Sequence, residues 1–232
     1  MITVYIITPL YNGVEFLEET VRSVIAQDYQ HWQMTIGVNG HGEDGGAVAI
    51  EAQRISGLDG SGRIEVIIQP PPINSKSKSL NDLIARLPAE AEWVCLLDAD
   101  DTWTPHKLLR QVIAANTGCV DVIGTWCRYF GEASGVPRLP SGMLPRGSTL
   151  RFNPIINSSS MFRKGDAYWE ETAHIQGVED YDMWLRLDHA GRRLYNIPEV
   201  LTNHRLHRAS AFNGKGGQDP QSLVLKYRAL QW

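Results

Sequence analysis

Three carboxylates, Asp98, Asp100 and Asp101, follow directly on the apolar run Trp93-Val-Cys-Leu-Leu97. Acids packed this closely repel one another, so a cation belongs among them. A hard divalent ion with oxygen ligands, Mg2+ or Mn2+, is the natural partner. A plainer reading makes the stretch a solvated turn in which Asp101 or Thr104 caps a helix beginning at Pro105. A second acidic group, Glu179, Asp180 and Asp182, opens an amphipathic segment that runs to Leu187. Acids in a first helical turn also suit the helix dipole, so the group has a structural as well as a chemical reading. Further on, His204-Arg-Leu-His207 adds two imidazoles.

An apolar run as short as Trp93–Leu97 reads as a buried parallel strand, and ligands of open α/β sheets gather at the carboxyl ends of such strands. Three earlier strand-and-helix units precede it. Ile2 to Ile7 is a β-rich run followed by Thr8-Pro-Leu-Tyr-Asn-Gly13 and a helix carrying Leu17, Val21, Val24 and Ile25. Met34 to Val38 ends at Asn39-Gly40 and leads into a helix from Ala47 to Ile55. Arg63 to Gln69, closed by Pro70-Pro71-Pro72, precedes the polar loop Asn74–Ser79 and a helix from about Ser79 to Leu87. Thr104 and Pro105 supply cap and first turn for a helix reaching Asn116. This alternation predicts right-handed crossovers, a parallel sheet and the strand order 3-2-1-4. Strands one and four then flank the switch point, with Thr8 to Tyr11 facing Asp98 to Asp101 and Asn39 beside them. A nucleotide fits there, its base near Tyr11 and Asn39 and its diphosphate toward the cation.

The remainder is more irregular. Val120 to Thr125, Trp126 to Phe130, Leu194 to Ile197 and Val200 to Arg205 read as strands, and Phe152 to Phe162 as a return to the sheet. Gly131 to Thr149 is a long excursion of the kind that usually carries function. Ser222 to Trp232 is weakly amphipathic, and Tyr227 and Trp232 are expected to pack on the domain. No repeat or linker divides the sequence, which predicts one domain over 1–232.

With 43% hydrophobic and 21% charged residues the composition is that of a globular protein, and a net charge of -4 argues against a nucleic-acid binder. Cys95, Cys119 and Cys127 have no metal-ligand spacing and read as reduced thiols of a cytoplasmic protein. No stretch is apolar for long enough to span a bilayer, which leaves at most a peripheral membrane association.

In their order and spacing, five segments resemble the family 2 glycosyltransferases of GT-A fold: Thr8–Gly13, Lys76-Ser-Lys-Ser-Leu-Asn81, Leu97-Asp-Ala-Asp-Asp-Thr-Trp103, Asn153–Phe162 and Val178-Glu-Asp-Tyr-Asp-Met-Trp-Leu-Arg186. The resemblance implies a Rossmann-like, mostly parallel twisted sheet with flanking helices, a nucleotide-binding half over 1–116 and a smaller acceptor-side half over 117–232. It implies an inverting metal-dependent transfer from a nucleotide-sugar, UDP-linked in the first instance, to a saccharide or glycolipid acceptor in polysaccharide or glycoconjugate synthesis, with a homodimer compatible. By the same resemblance Asp98 lies near the ribose, Asp100 binds Mg2+ or Mn2+ with His207 (His204 the alternative), and Thr8, Pro9 and Tyr11 line the base pocket. Asn39, Lys76 and Asn81 complete the nucleotide site, Asp180 is the catalytic base, and Glu179 and Trp103 face the acceptor. One departure stands out. Asn39 occupies a position where the family usually has an acid against the base, and an amide accepts a hydrogen bond without carrying charge.

Two rival readings remain. Asp98-Ala-Asp-Asp-Thr102 also fits the nucleophile motif of haloacid dehalogenase-like phosphatases, with Asp98 phosphorylated, although that fold places the motif on its first strand. A sugar-nucleotide-binding module without catalysis is the other.

Overall fold

Side chains of strand β1 (Val4–Leu10) alternate between two apolar layers, Val4, Ile6 and Leu10 entering one and Tyr5 and Ile7 the other. A strand covered on both faces is the interior strand of a parallel sheet. The computed structural model describes residues 1–70, 75–172, 177–207 and 220–230. In it β1 pairs in parallel with β2 (Trp32–Val38) on one side and β4 (Trp93–Leu96) on the other, and β3 (Ile64–Ile68) pairs with β2. The expected order 3-2-1-4 is therefore present.

The sheet continues beyond β4 in mixed direction. Strand β8 (Met161–Arg163) runs antiparallel to both β4 and β6 (Val122–Gly131). Next comes β9 (Leu194–Leu206), parallel to β6, with the short β5 (Thr102–Trp103) antiparallel at its far edge and β7 (Gly142–Met143) also paired to it. The four short strands expected over 120–130 and 194–205 are thus two long ones. The pairing steps across Pro198 and Glu199 opposite Thr125 and Trp126, a bulge that interrupts the hydrogen bonds without ending either strand.

Helices α1 (Val14–Ile25), α2 (Gly46–Ser56) and α4 (Lys107–Ala115) cover one face through Leu17, Val21, Ala52, Ile55, Leu108 and Val112. Helices α3 (Lys76–Arg86) and α5 (Glu179–His189) cover the other through Leu80, Leu83, Met183 and Trp184. The last described helix, α6 (Pro220–Arg228), packs Leu223 and Tyr227 onto Tyr181 and Leu185 of α5. Tyr227 thus packs as expected, while Pro71, Pro72, Asn74 and Trp232 lie outside the described residues.

Two helix starts differ from expectation. Helix α3 begins at Lys76 because the Ser75 hydroxyl accepts the Lys78 backbone N–H at 3.2 Å, capping the helix inside the polar loop. Helix α4 begins only at Lys107, since Thr104 still belongs to the sheet edge, its N–H bonded to the Leu201 carbonyl. The Thr104 hydroxyl makes no hydrogen bond, and Asp101 is fully buried, so neither acts as the helix cap.

Lys107 is itself fully buried, its Nζ donating to Gln111 Oε1 at 2.7 Å and lying 3.7 Å from the centre of the Trp103 ring. Burial pushes its pKa down to about 8. The unfolded chain holds that proton up to a higher pH, so folding is penalised below about pH 8, and the penalty fades as pH rises toward 10. Lys107→Met is expected to raise stability at pH 7 by roughly 1–3 kcal/mol, with the gain shrinking by pH 10. Urea unfolding at both pH values checks this, and an equal gain at both would contradict it.

Candidate functional site

One cleft of about 1360 Å3 opens along the carboxyl ends of β1, β2 and β4. Pro9, Tyr11, Asn39, Lys76, Asp98, Asp100, Glu179, Asp180, His204 and His207 all line it. The crevice expected at the switch point is therefore present, and it extends to the start of α5 and the end of β9.

The acidic turn after β4 is fixed from several sides. The Thr20 hydroxyl of α1 lies 2.8 Å from the carbonyl oxygens of both Ala99 and Asp101. Arg205 donates to the Asp100 carbonyl at 2.9 Å, and its guanidinium lies between the rings of Phe16 and Phe130. These contacts tie the turn's backbone to α1 and β9 and so fix where its carboxylates point.

Each of the three carboxylates has a different environment. Asp98 meets Lys76 Nζ at 2.6 Å and accepts from Asn157 Nδ2 at 3.0 Å. Burial alone would raise its pKa, but the Lys76 charge and the two hydrogen bonds outweigh it and hold the group below the usual carboxylate range. Asp100 lies 2.9 Å from His207 Nε2. Its pKa is raised, by burial first and then by the charges of Asp101 and Asp98. Asp101 is buried beneath them, accepting from the Arg205 N–H at 2.7 Å and lying 2.9 Å from His204 Nδ1. The histidines are thus sorted: His207 faces Asp100 and His204 faces Asp101.

Across the cleft Asp180 sits at the start of α5, half-buried, with Asn153 Nδ2 at 3.4 Å from its Oδ2. Burial pushes its pKa up to about 6, with Glu179 and Asp98 adding to the rise and Lys76 opposing it. Glu179 accepts the Gly177 N–H at 2.9 Å, so it also shapes the entry to its own helix. Asp182 belongs to packing: it is buried and accepts from the Tyr227 hydroxyl at 2.9 Å.

At the other end Tyr11 stands over the turn after β2. A Cβ on Gly40, where φ is +78°, would come within 2.4 Å of the Tyr11 ring, so only glycine admits the ring there. Asn39 donates through Nδ2 to the Ser79 hydroxyl at 3.2 Å, and with the nitrogen engaged its carbonyl oxygen is the acceptor it can offer a ligand.

Three expected site residues are placed elsewhere. Thr8 is fully buried inside the sheet, its hydroxyl without a hydrogen bond, and does not line the cleft. Asn81 is engaged by the loop after β8, donating to the Trp169 carbonyl at 2.7 Å and accepting its N–H at 2.9 Å. Trp103 is buried, its indole N–H bonded to the Ser158 carbonyl at 2.7 Å, and cannot reach an acceptor in the cleft. Conversely, Asn153, Asn157 and Arg205 contact the site's carboxylates or their turn without a sequence signal of their own. The Asn153–Phe162 segment carries part of the family resemblance, but which of its polar side chains turn toward Asp98 and Asp180 depends on contacts distant in sequence.

Asp100 and His207 present an oxygen and a nitrogen donor at one point of the cleft. Among the described residues no third acid, imidazole or thiol joins them to form a closed metal cage. Such an open pair fits a divalent ion whose other ligands come from phosphate oxygens and water, and a cation there would relieve the repulsion that raises the Asp100 pKa.

The chain has relatives among known proteins. TuaG of Bacillus subtilis (strain 168), named for teichuronic acid biosynthesis, is 33% identical over 215 residues, covering 91% of this chain and 82% of TuaG. EpsE of the same organism, named as a glycosyltransferase, is 27% identical over 205 residues, covering 85% and 71%. Among solved structures, S. aureus TarS 1-349 with UDP-GlcNAc superposes with a TM-score of 0.72 at 14% identity, over 97% of this chain and 65% of that one. The mannosyltransferase PcManGT from Pyrobaculum calidifontis, with GDP-Man and Mn2+, gives 0.65 at 15% identity, over 90% and 58%. The chain spans less than two thirds of both solved structures, and at these identities the likeness shows the GT-A fold. The glycosyl transferase family 2 pattern matches residues 5–177, from β1 to the threshold of α5, and the chain belongs to that family.

Proposed function

We propose that this glycosyltransferase moves a sugar from a nucleoside-diphosphate donor, a UDP-sugar in the first instance, to an acceptor hydroxyl with inversion at the anomeric carbon. The observation that carries the reading is the meeting in one cleft of the Asp100–His207 pair and a carboxylate, Asp180, whose pKa lies near 6. Residues 1–116 supply most of the donor side and residues 117–232 most of the acceptor side. Tyr11 and Pro9 flank the base, and Asn39 offers its carbonyl oxygen to a base N–H. Asp98, held by Lys76 and Asn157, takes the ribose side.

Asp100 and His207 would hold Mg2+ or Mn2+, which when bound supplies charge stabilisation to the departing diphosphate. Lys76 adds a fixed positive charge beside Asp98. Asp180 accepts the proton of the attacking hydroxyl, and a carboxyl pKa near 6 suits a base that is ionised at neutral pH yet more basic than an ordinary aspartate. With the base across the cleft from the diphosphate site, attack comes from the face opposite the leaving group. The nucleotide-sugars and Mn2+ bound by TarS and PcManGT support a donor and cofactor of these classes. Cys95, Cys119 and Cys127 are all free thiols, which suits a reducing compartment such as the cytoplasm. Among the described residues no helix is long and apolar enough to cross a membrane.

Thermal-shift titration with UDP, GDP, dTDP and CDP, each with Mn2+ and with EDTA, tests the donor site. One nucleotide, UDP, is expected to stabilise the protein saturably and only with metal. Preference for GDP would move the donor assignment, and no response to any nucleotide in folded protein would remove it.

A further inference from the structure

Behind the turn after β2 lies a set of polar side chains, Gln69, Ser79 and Asp82, that do not line the cleft. Gln69 follows β3, and its backbone N–H bonds the Val38 carbonyl at 2.8 Å, which seats it beside Asn39 at the end of β2. A Cβ on Gly37 would come within 3.0 Å of the Gln69 Cδ and Oε1, so the glycine leaves the space that the Gln69 side chain fills. Gln69 is 2% exposed, Ser79 0% and Asn39 7%, so water offers these groups little alternative partnership.

The direction of every hydrogen bond along this set is forced. Gln69 Nε2 lies 2.9 Å from both the Ser79 carbonyl and Asp82 Oδ2, and a carbonyl and a carboxylate can only accept. The amide nitrogen therefore faces them, and Gln69 Oε1 faces the Ser79 hydroxyl at 2.5 Å. Arg86 holds Asp82 in turn, Nε to Oδ2 at 2.9 Å. A hydroxyl has one proton to give, and Ser79 gives it to Gln69. Toward Asn39, 3.2 Å away, Ser79 can only accept, so Asn39 turns Nδ2 inward and keeps Oδ1 for the cleft it lines.

Resting on the donor-site reading above, we propose that Gln69 is a positioning residue for donor selection. Through Ser79 it locks the Asn39 amide with its oxygen outward, so the site takes a base that presents a ring N–H there and rejects one that presents a lone pair. Uracil and cytosine differ in this way at N3. A site built to accept a hydrogen bond discriminates against the analogue that lacks the donor, because its own acceptor is then left unpaired. The relay also accounts for an amide where the family usually has an acid. With the Ser79 proton committed to Gln69, a carboxylate at position 39 would set one oxygen against the Ser79 oxygen with no proton between them. Asparagine supplies that proton and still shows the base an oxygen.

The test is the ratio of the CDP and UDP dissociation constants, measured calorimetrically on the full chain with Mn2+. The parent is expected to bind UDP at least about tenfold more tightly than CDP. Gln69→Leu frees the Ser79 proton to pair with Asn39 Oδ1, so the amide takes both orientations. The ratio should then fall at least roughly fivefold, CDP binding strengthening as UDP binding weakens. The double variant Gln69→Leu/Asn39→Asp should recover the preference for UDP, since a carboxylate shows an oxygen to the base whichever way it turns. Ser79→Ala breaks the same relay with a smaller change in volume, so it decides the matter should the first variant not fold, and it too should lower the ratio. A purely structural role for Gln69 would weaken both nucleotides alike. Equal binding of UDP and CDP by the parent, equal weakening of both, an unchanged ratio in either folded single variant, or no recovery in the folded double variant would each overturn the proposal while leaving the donor site in place. A parent that binds no nucleotide would instead strike the donor-site reading, and the role of Gln69 with it.

Discussion

Asp180→Asn is expected to bind nucleotide as tightly as the parent and to transfer sugar about a thousandfold more slowly. The substitution keeps the shape of the side chain and its contact with Asn153 while removing the ability to accept a proton, and general-base catalysis contributes on the order of a hundred- to ten-thousandfold. The pH dependence gives a second signature. Since burial lifts the Asp180 pKa to about 6 and the ionised form is the active one, kcat/KM of the parent should rise roughly tenfold per pH unit below 6 and level off above it. That limb should vanish in the variant. Stability moves the other way. A carboxyl group whose pKa is raised on folding favours the folded state only while protonated, and this contribution is lost as pH rises through about 6. At pH 8 the variant should therefore be the more stable protein by roughly 1–3 kcal/mol, with no advantage at pH 4. Transfer within tenfold of the parent would place the base elsewhere.

The parallel half of the sheet was legible because each of its strands is a short run rich in apolar and β-branched residues followed by a helix with an apolar stripe, a pattern that admits few topologies. The crevice between β1 and β4 followed from that order alone. Past Leu97 the signal weakens. Strand β8 has three residues, and its place between β4 and β6 rests on pairing with both neighbours, which local pattern does not encode. Trp103 shows why side-chain direction was harder still. It lies in a two-residue strand, and Asp101 before the strand, Thr102 and Trp103 are all buried, so there is no alternation to say which way the indole turns. Thr8 failed for the opposite reason: it continues the buried alternation of β1, and only the residues after it reach the cleft. Asp98, Asp100, Asp180 and His207 share the cleft as their segments suggested, but Asn157, 59 positions from Asp98, reaches it only through the folded sheet.

Asp100→Ala is expected to abolish the metal-dependent part of nucleotide binding and to lower transfer by about a thousandfold or more. Asp100 is the oxygen donor of the pair that lines the cleft, and without it no other carboxylate can stand in: Asp98 is engaged by Lys76 and Asn157, and Asp101 is buried against His204 and Arg205. Mn2+ should then add nothing to the thermal shift produced by nucleotide. The two histidines separate ligation from support. His207→Ala removes a nitrogen donor 2.9 Å from Asp100 while leaving the turn intact, so it should weaken Mn2+ binding by roughly ten- to a hundredfold with little change in stability. His204→Ala leaves the buried Asp101 carboxylate short of one partner, which costs about 1–3 kcal/mol of stability but should shift Mn2+ binding only slightly. Electron paramagnetic resonance of free Mn2+ measures the affinities directly, and urea unfolding the stabilities. If His204→Ala lost the metal and His207→Ala kept it, the imidazole assignment would be reversed. If Asp100→Ala kept a full metal response, the cation would have to sit away from the acidic turn, and the role given to the Asp98–Asp101 carboxylates would fall with it.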